Sequence, residues 1–173
     1  MPSAENTINK TGWDRYSSNL DLAQLAGFSA KIGRDISLVQ GAGGNTSVKV
    51  GNLLWIKASG MWLADALKKP IFCSVNLKTV IEAMESDQSG EKLDQAIKSR
   101  EKKLRPSIET SLHALLPHKV VLHVHAIDAI VWLVKASGQD EIQKCLSGMN
   151  WKWVPYRGVG PPLTMAVREV IDS

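Results

Sequence analysis

The amino-acid sequence predicts a layered α/β domain whose sheet is not wholly parallel. Two observations carry this. Short runs with strand character alternate along the chain with segments whose apolar residues recur at helical spacing. Several connections between them are short enough to join antiparallel neighbours, which a parallel crossover does not allow. The length, 173 residues, is that of a single domain able to bury a core.

Residues 13–33 read as a helix, with Leu20, Leu22, Leu25, Ala26 and Phe28 on one stripe and Gly33 as its stop. A loop of small residues follows at 41–47. Two β-like runs, 47–50 and 53–57, are joined through Gly51-Asn52, a hairpin signal. Ala58-Ser59-Gly60 then breaks the pattern. A strand is expected over 71–75, a short helix over 78–85 and a polar surface excursion over 86–104. Pro106 suits the first turn of a helix carrying Ile108, Leu112, Leu115 and Leu116, and Pro117 ends it. The β-branched run 120–125 reads as a strand. After it come an apolar helix over 128–136, a helix over 141–146, a strand over 151–155, a turn at 158–162 and a last helix over 163–171. There is no internal repeat.

Composition excludes several classes. Apolar residues make up 44% and charged residues 22%, an ordinary globular balance. Lys and Arg number 21 against 17 Asp and Glu, a net charge of +4. That mild excess suits anionic small molecules. The densest basic cluster, Lys98, Arg100, Lys102, Lys103 and Arg105, is interrupted by Glu101 and lacks interleaved aromatics, so it reads as a solvated face and not as a nucleic-acid groove. The two cysteines, Cys73 and Cys145, form neither a CxxC pair nor a disulfide framework. The N-terminus lacks a signal-peptide pattern, and no apolar run reaches membrane-spanning length. A cytoplasmic protein with no nucleic-acid or membrane partner is the expectation.

Three features could carry chemistry. In His123-Val124-His125, strand alternation sends both imidazoles to one face beside Val121, where they can share one divalent cation; zinc suits imidazole nitrogen. A pair of solvated surface histidines is the other reading. In Ser107-Ile108-Glu109 with His113, Glu109 and His113 sit one helical turn apart, and a carboxylate near a metal can abstract a proton next to a carbonyl. Here the alternative is local: Ser107 caps the helix and Glu109 complements its dipole. The loop at 41–47 offers glycines for close backbone approach to a ligand, yet it is neither a P-loop nor a dinucleotide fingerprint. Ser59-Gly60 is a turn or a second anion contact.

The ordered series GGNTS (43–47), WIKASG (55–60), RPSIETSLH (105–113) and VLHVHAIDA (121–129) resembles the class II aldolase/adducin family, most closely the aldolase domain of rhamnulose-phosphate aldolase/dehydrogenase-type proteins. The resemblance implies a three-layer αβα sandwich with a mixed, mostly antiparallel central sheet, assembled as a homo-oligomer, a tetramer in the family. It implies a metal-dependent lyase that cleaves a ketose, a ketose 1-phosphate above all, by a reversible retro-aldol step through a zinc-stabilised enediolate. Gly44, Asn45, Ser59, Gly60 and Ser107 fall on the phosphate pocket, Glu109 on the catalytic acid/base, and His123 and His125 on two of three zinc ligands. A sugar-phosphate epimerase or dehydratase on the same scaffold, or a non-catalytic adducin-like interaction domain, is the alternative. The sequence departs from the pattern at the third zinc histidine. Its four histidines are His113, His118, His123 and His125, and none follows His125. Residues 1–173 are therefore expected to be one class II aldolase-like domain cut short at its C-terminal end.

Overall fold

A computed structural model of the chain describes residues 19–86, 96–97 and 103–172. Helix α1 (Leu20–Gly33) starts where the Asn19 side chain accepts the Leu22 N–H at 3.2 Å, satisfying one of the free donors of the first turn. Its inward stripe is Leu22, Ala23, Leu25, Ala26, Ser29 and Ala30. The start of the expected helix, residues 13–18, lies outside the described residues. Strands β1 (Asn45–Val50) and β2 (Leu53–Lys57) form the hairpin, and Gly51 takes the positive φ of +56° that its turn requires. A 3-10 turn (Leu63–Asp65), strand β3 (Phe72–Asn76) and helix α2 (Leu77–Ser86) follow. Then come α3 (Thr110–Leu115), β4 (Val120–His123), α4 (Ile127–Leu133), α5 (Gly138–Cys145) and α6 (Pro161–Asp172). Most of the polar excursion at 86–104 lies outside the described residues.

The four described strands lie in the order β3-β2-β1-β4, and every pairing is antiparallel. Period-two alternation splits the sheet into two faces. Thr46 and Val48 face α1: Val48 packs with Leu22, Leu25, Ala26 and Phe72, and the Thr46 and Ser29 hydroxyls meet at 2.7 Å. The opposite face presents Leu54 and Val75 to Val80, Ala83 and Met84 of α2 and to Ala114 of α3. Helix α6 lies against α3, where the Ser111 and Thr164 hydroxyls meet at 2.8 Å. Helices thus cover both faces of an antiparallel sheet, the expected three layers. Each fully buried large aliphatic contributes about 1.5–3 kcal/mol of burial free energy.

Three expectations shift. The strand expected over 151–155 is irregular; no described strand pairs with it, and Pro155 carries no N–H for a ladder. The strand expected to reach residue 125 ends at His123. The helix expected from Pro106 begins at Thr110, because residues 106–109 are used otherwise. Ala58 and Pro106 form an isolated antiparallel bridge, and the Ser59 N–H donates to the Arg105 carbonyl at 2.8 Å. Among the described residues, no helix is long and apolar enough to cross a membrane.

Helix α3 is fastened to β1 by polar side chains, Ser47 and His113 buried and Lys49 partly so. Ser47 Oγ lies 2.7 Å from His113 Nδ1, and the Lys49 ammonium donates to the Leu116 carbonyl. Burial pulls the His113 imidazole down from its ordinary 6.5 to about 4, so it is neutral at pH 7. The unfolded chain then binds more protons than the folded one between those values. The contribution of His113 is complete above about pH 6.5 and is lost as pH falls towards 4, an effect on the order of 3 kcal/mol. Urea midpoints measured from pH 7 to pH 4 should fall less steeply in His113→Ala than in the wild type. Identical acid slopes would show that His113 is not the titrating group.

Candidate active site

The site lies at the end of the sheet where β1 begins and β4 ends. Asn45 opens β1 opposite His123, the last residue of β4, so their side chains share a face. Glu109 stands just before α3, above that face. Its carboxylate takes two hydrogen bonds through Oε2, from Asn45 Nδ2 at 2.8 Å and from His123 Nδ1. Burial pushes this carboxyl up. The hydrogen bond and charge of His123 and the Asn45 amide pull it down by more, so the net shift is downward and Glu109 is ionised at neutral pH.

An ionised carboxylate only accepts, so His123 Nδ1 carries the proton. In the neutral imidazole, that tautomer leaves the His123 Nε2 lone pair free, as a metal ligand requires. The His125 ring stands edge-on to His123, with centroids 4.9 Å apart and planes at 65°. Imidazole–zinc bonds of about 2 Å need two rings this close, so the separation allows both rings to reach one divalent cation. Among the described residues, no set of three His, Cys, Asp or Glu side chains is placed to hold one. His125 lies past the end of β4 and is exposed. Its backbone is tied to the loop before β1: the His125 N–H donates to the Leu38 carbonyl at 2.9 Å and Gln40 Nε2 donates to the His125 carbonyl at 3.3 Å.

Two glycines of the 41–47 loop serve this arrangement directly. A Cβ on Gly43 would stand 2.9 Å from His125 Nδ1. A Cβ on Gly44, whose φ is +64°, would stand 2.9 Å from the His123 carbonyl oxygen. Ser107 is buried, and its hydroxyl accepts the Glu109 N–H at 3.3 Å within the turn before α3; the N-cap position of that helix is Glu109, so Ser107 supports the turn and does not cap the helix. The Glu109 side chain makes no capping bond and turns to Asn45 and His123. Ser59 and Gly60 form an exposed turn, drawn towards Ser107 by the bridge at Ala58 and Pro106. The sequence reading did not single out Lys57. It is 2% exposed at the end of β2, and its ammonium donates to the Ala42 and Met61 carbonyls at 2.7 Å each. A lysine inside the apolar run Leu-Leu-Trp-Ile-Lys was the available signal.

Residues 23–172 match the family model described as Class II Aldolase and Adducin N-terminal domain. The chain belongs to this family. It is 34% identical over 155 residues to the Bacillus subtilis (strain 168) protein named uncharacterized oxidoreductase YuxG. That alignment takes in 82% of this chain but 22% of the relative, so the chain spans about a fifth of that protein's length. The N-terminal class II aldolase domain of a conserved protein from Thermoplasma acidophilum superposes with a TM-score of 0.66 over 89% of this chain and 90% of that one. At 24% identity this likeness establishes the fold alone.

The two glycines separate fold from site. Gly44→Ala forces both a strained φ and a clash with backbone, and should lower the melting temperature markedly. Gly43→Ala meets the movable His125 ring at 2.9 Å and the Gln40 carbonyl oxygen at 3.0 Å, without a strained φ; it should lower melting less than Gly44→Ala and weaken zinc binding measured by calorimetry. Equal effects on both properties in the two variants would contradict this assignment.

Proposed function

We propose that the domain is the catalytic module of a metal-dependent lyase that cleaves a ketose, or its 1-phosphate, by a reversible retro-aldol reaction. The observation that carries the reading is the buried, ionised Glu109 carboxylate held between Asn45 and His123, beside a pair of histidines suited to a divalent cation. Membership of the class II aldolase family makes this chemistry the first to test.

In cleavage, the proton leaves the hydroxyl on the carbon β to the ketone, and the bond between the α and β carbons breaks. The β carbon departs as an aldehyde. The electron pair of the broken bond moves towards the ketone oxygen, and a proton is returned to the α carbon. Glu109 is the group that moves protons at that carbon. Its hydrogen bond to His123 fixes the carboxylate and lets its charge adjust as the proton arrives and leaves. A divalent cation held by His123 and His125 would polarise the ketone oxygen.

Asn45 spends its amide donor on Glu109. Its Oδ1, buried and without a hydrogen-bond partner among the described residues, is an acceptor for a substrate hydroxyl. Gly44, Ser59, Gly60 and Ser107 are the groups we assign to the substrate's anionic end. The backbone of Gly44, at positive φ, and the exposed Ser59-Gly60 turn are the groups that can approach a phosphate closely.

Deuterium incorporation into dihydroxyacetone phosphate, followed by NMR in D2O with zinc, tests the reading without knowledge of the aldehyde partner. Exchange should be seen with the wild type and should fall about 10²-fold or more in Glu109→Gln while zinc affinity is kept. Absence of exchange, and of cleavage across a panel of ketose 1-phosphates, from a zinc-loaded wild type would overturn it in favour of an interaction domain.

A further inference from the structure

Lys57 is the last residue of β2. By register it lies opposite Phe72, and alternation puts it on the sheet face away from Ile56. Ile56 shares its face with Ser47, and hence with Asn45, Glu109 and His123. Lys57 therefore stands behind the candidate site, on the side of α1. The two carbonyls it holds belong to separate turns. One turn is closed by the Gly43 N–H donating to the Gln40 carbonyl at 3.0 Å, the other by the Met61 N–H donating to the Ala58 carbonyl at 3.3 Å. Each turn is closed on itself, and the Lys57 ammonium joins them through Ala42 and Met61.

Keeping a cation there is costly. Burial pulls the Lys57 ammonium down to about 8, and the charge of Glu109 offsets this only in part. A methionine of similar length would fill the space without that cost, but it would leave the Ala42 and Met61 carbonyls without the charged donor that joins them.

From this geometry we infer that Lys57 is a positioning residue, an internal clamp that sets the distance between the 40–44 turn and the 58–61 turn. The inference rests on the proposed function in one respect, namely that these two turns present Gly44, Ser59 and Gly60 to the anionic end of the substrate. The clamp acts through backbone. It holds two separately folded turns at one spacing, so that an oxyanion meets both at once.

Lys57→Met in the full chain tests it with three readouts: hydrogen exchange, sulfate binding and zinc binding. Loss of two charge-assisted bonds should speed amide exchange in 40–44 and 58–61 by about tenfold or more relative to the rest of the sheet. Sulfate affinity should fall by more than zinc affinity read at His123 and His125, of which only His125 rests its ring against the 40–44 turn. A role confined to core stability would instead raise exchange evenly across β1, β2 and β3, and that result overturns the clamp. Lost sulfate affinity with unchanged exchange in both turns also overturns it, because the charge would then act on the anion directly. If the methionine variant does not fold, Lys57→Gln, with a neutral donor on a shorter chain, is read the same way. Failure of both to fold would assign Lys57 to the core and end the inference. If wild-type protein binds no sulfate, the anion pocket falls, and the exchange result still decides the clamp.

Discussion

The arrangement depends on two parallel polar rungs between β1 and the start of α3. Asn45 reaches Glu109, and two residues on, Ser47 reaches His113. Residues two apart on a strand are separated by about 6.6 Å, and residues four apart on a helix by about 6 Å. The two repeats match, so one strand face can grip one helix face at two points. Both rungs are buried, and breaking either would leave a polar group without a partner, which costs more than the bond contributes. The helix therefore has one rotation and one height over the sheet, and the carboxylate has one position. His123 joins from β4 because β4 pairs with the same strand, Asn45 opposite His123.

Electrostatics follow from that placement. Three ionisable groups are buried near the end of the sheet, and they respond differently. His113 is neutral because desolvation dominates its surroundings. Glu109 remains charged because donors reach it from two strands and outweigh burial. Lys57 keeps a proton at neutral pH although burial draws it to about 8, because two carbonyls receive it and Glu109 lies within electrostatic reach. Charge is thus confined to the places where hydrogen bonds support it. The helix carries a neutral imidazole at its centre and a carboxylate at its open end.

Much of this was legible along the chain. The hairpin followed from Gly51-Asn52, the helices from their apolar spacing, and the shared face of His123 and Val121 from strand alternation. What could not be read was decided by distant partners. Glu109 has the same local sequence whether it only complements the α3 dipole or turns to β1 and β4; only the meeting with Asn45 and His123 selects between them. Residues 151–155 have the aromatic and β-branched composition of a strand, but a strand is a pairing, and no described neighbour supplies it. The 41–47 glycines were read as room for a ligand. At Gly43 and Gly44 the room is also taken by His125 and by the His123 carbonyl, a requirement set some eighty residues away.

The two histidines of the HxH are consequently unequal. His123 is fixed by its strand, by its register against Asn45 and by the Glu109 carboxylate, which also sets its tautomer. His125 follows the last strand residue. The 37–40 loop holds its backbone, while its exposed ring rests against a glycine that offers no side chain to steer it. A cation drawn to this pair would meet one ligand already oriented and one free to adjust. Ordering the second ring costs conformational entropy at binding, while the first has been ordered by folding. The strand ends between the two ligands, so rigidity is placed at the imidazole that shares its proton with the carboxylate. Adjustability is left to the one that does not.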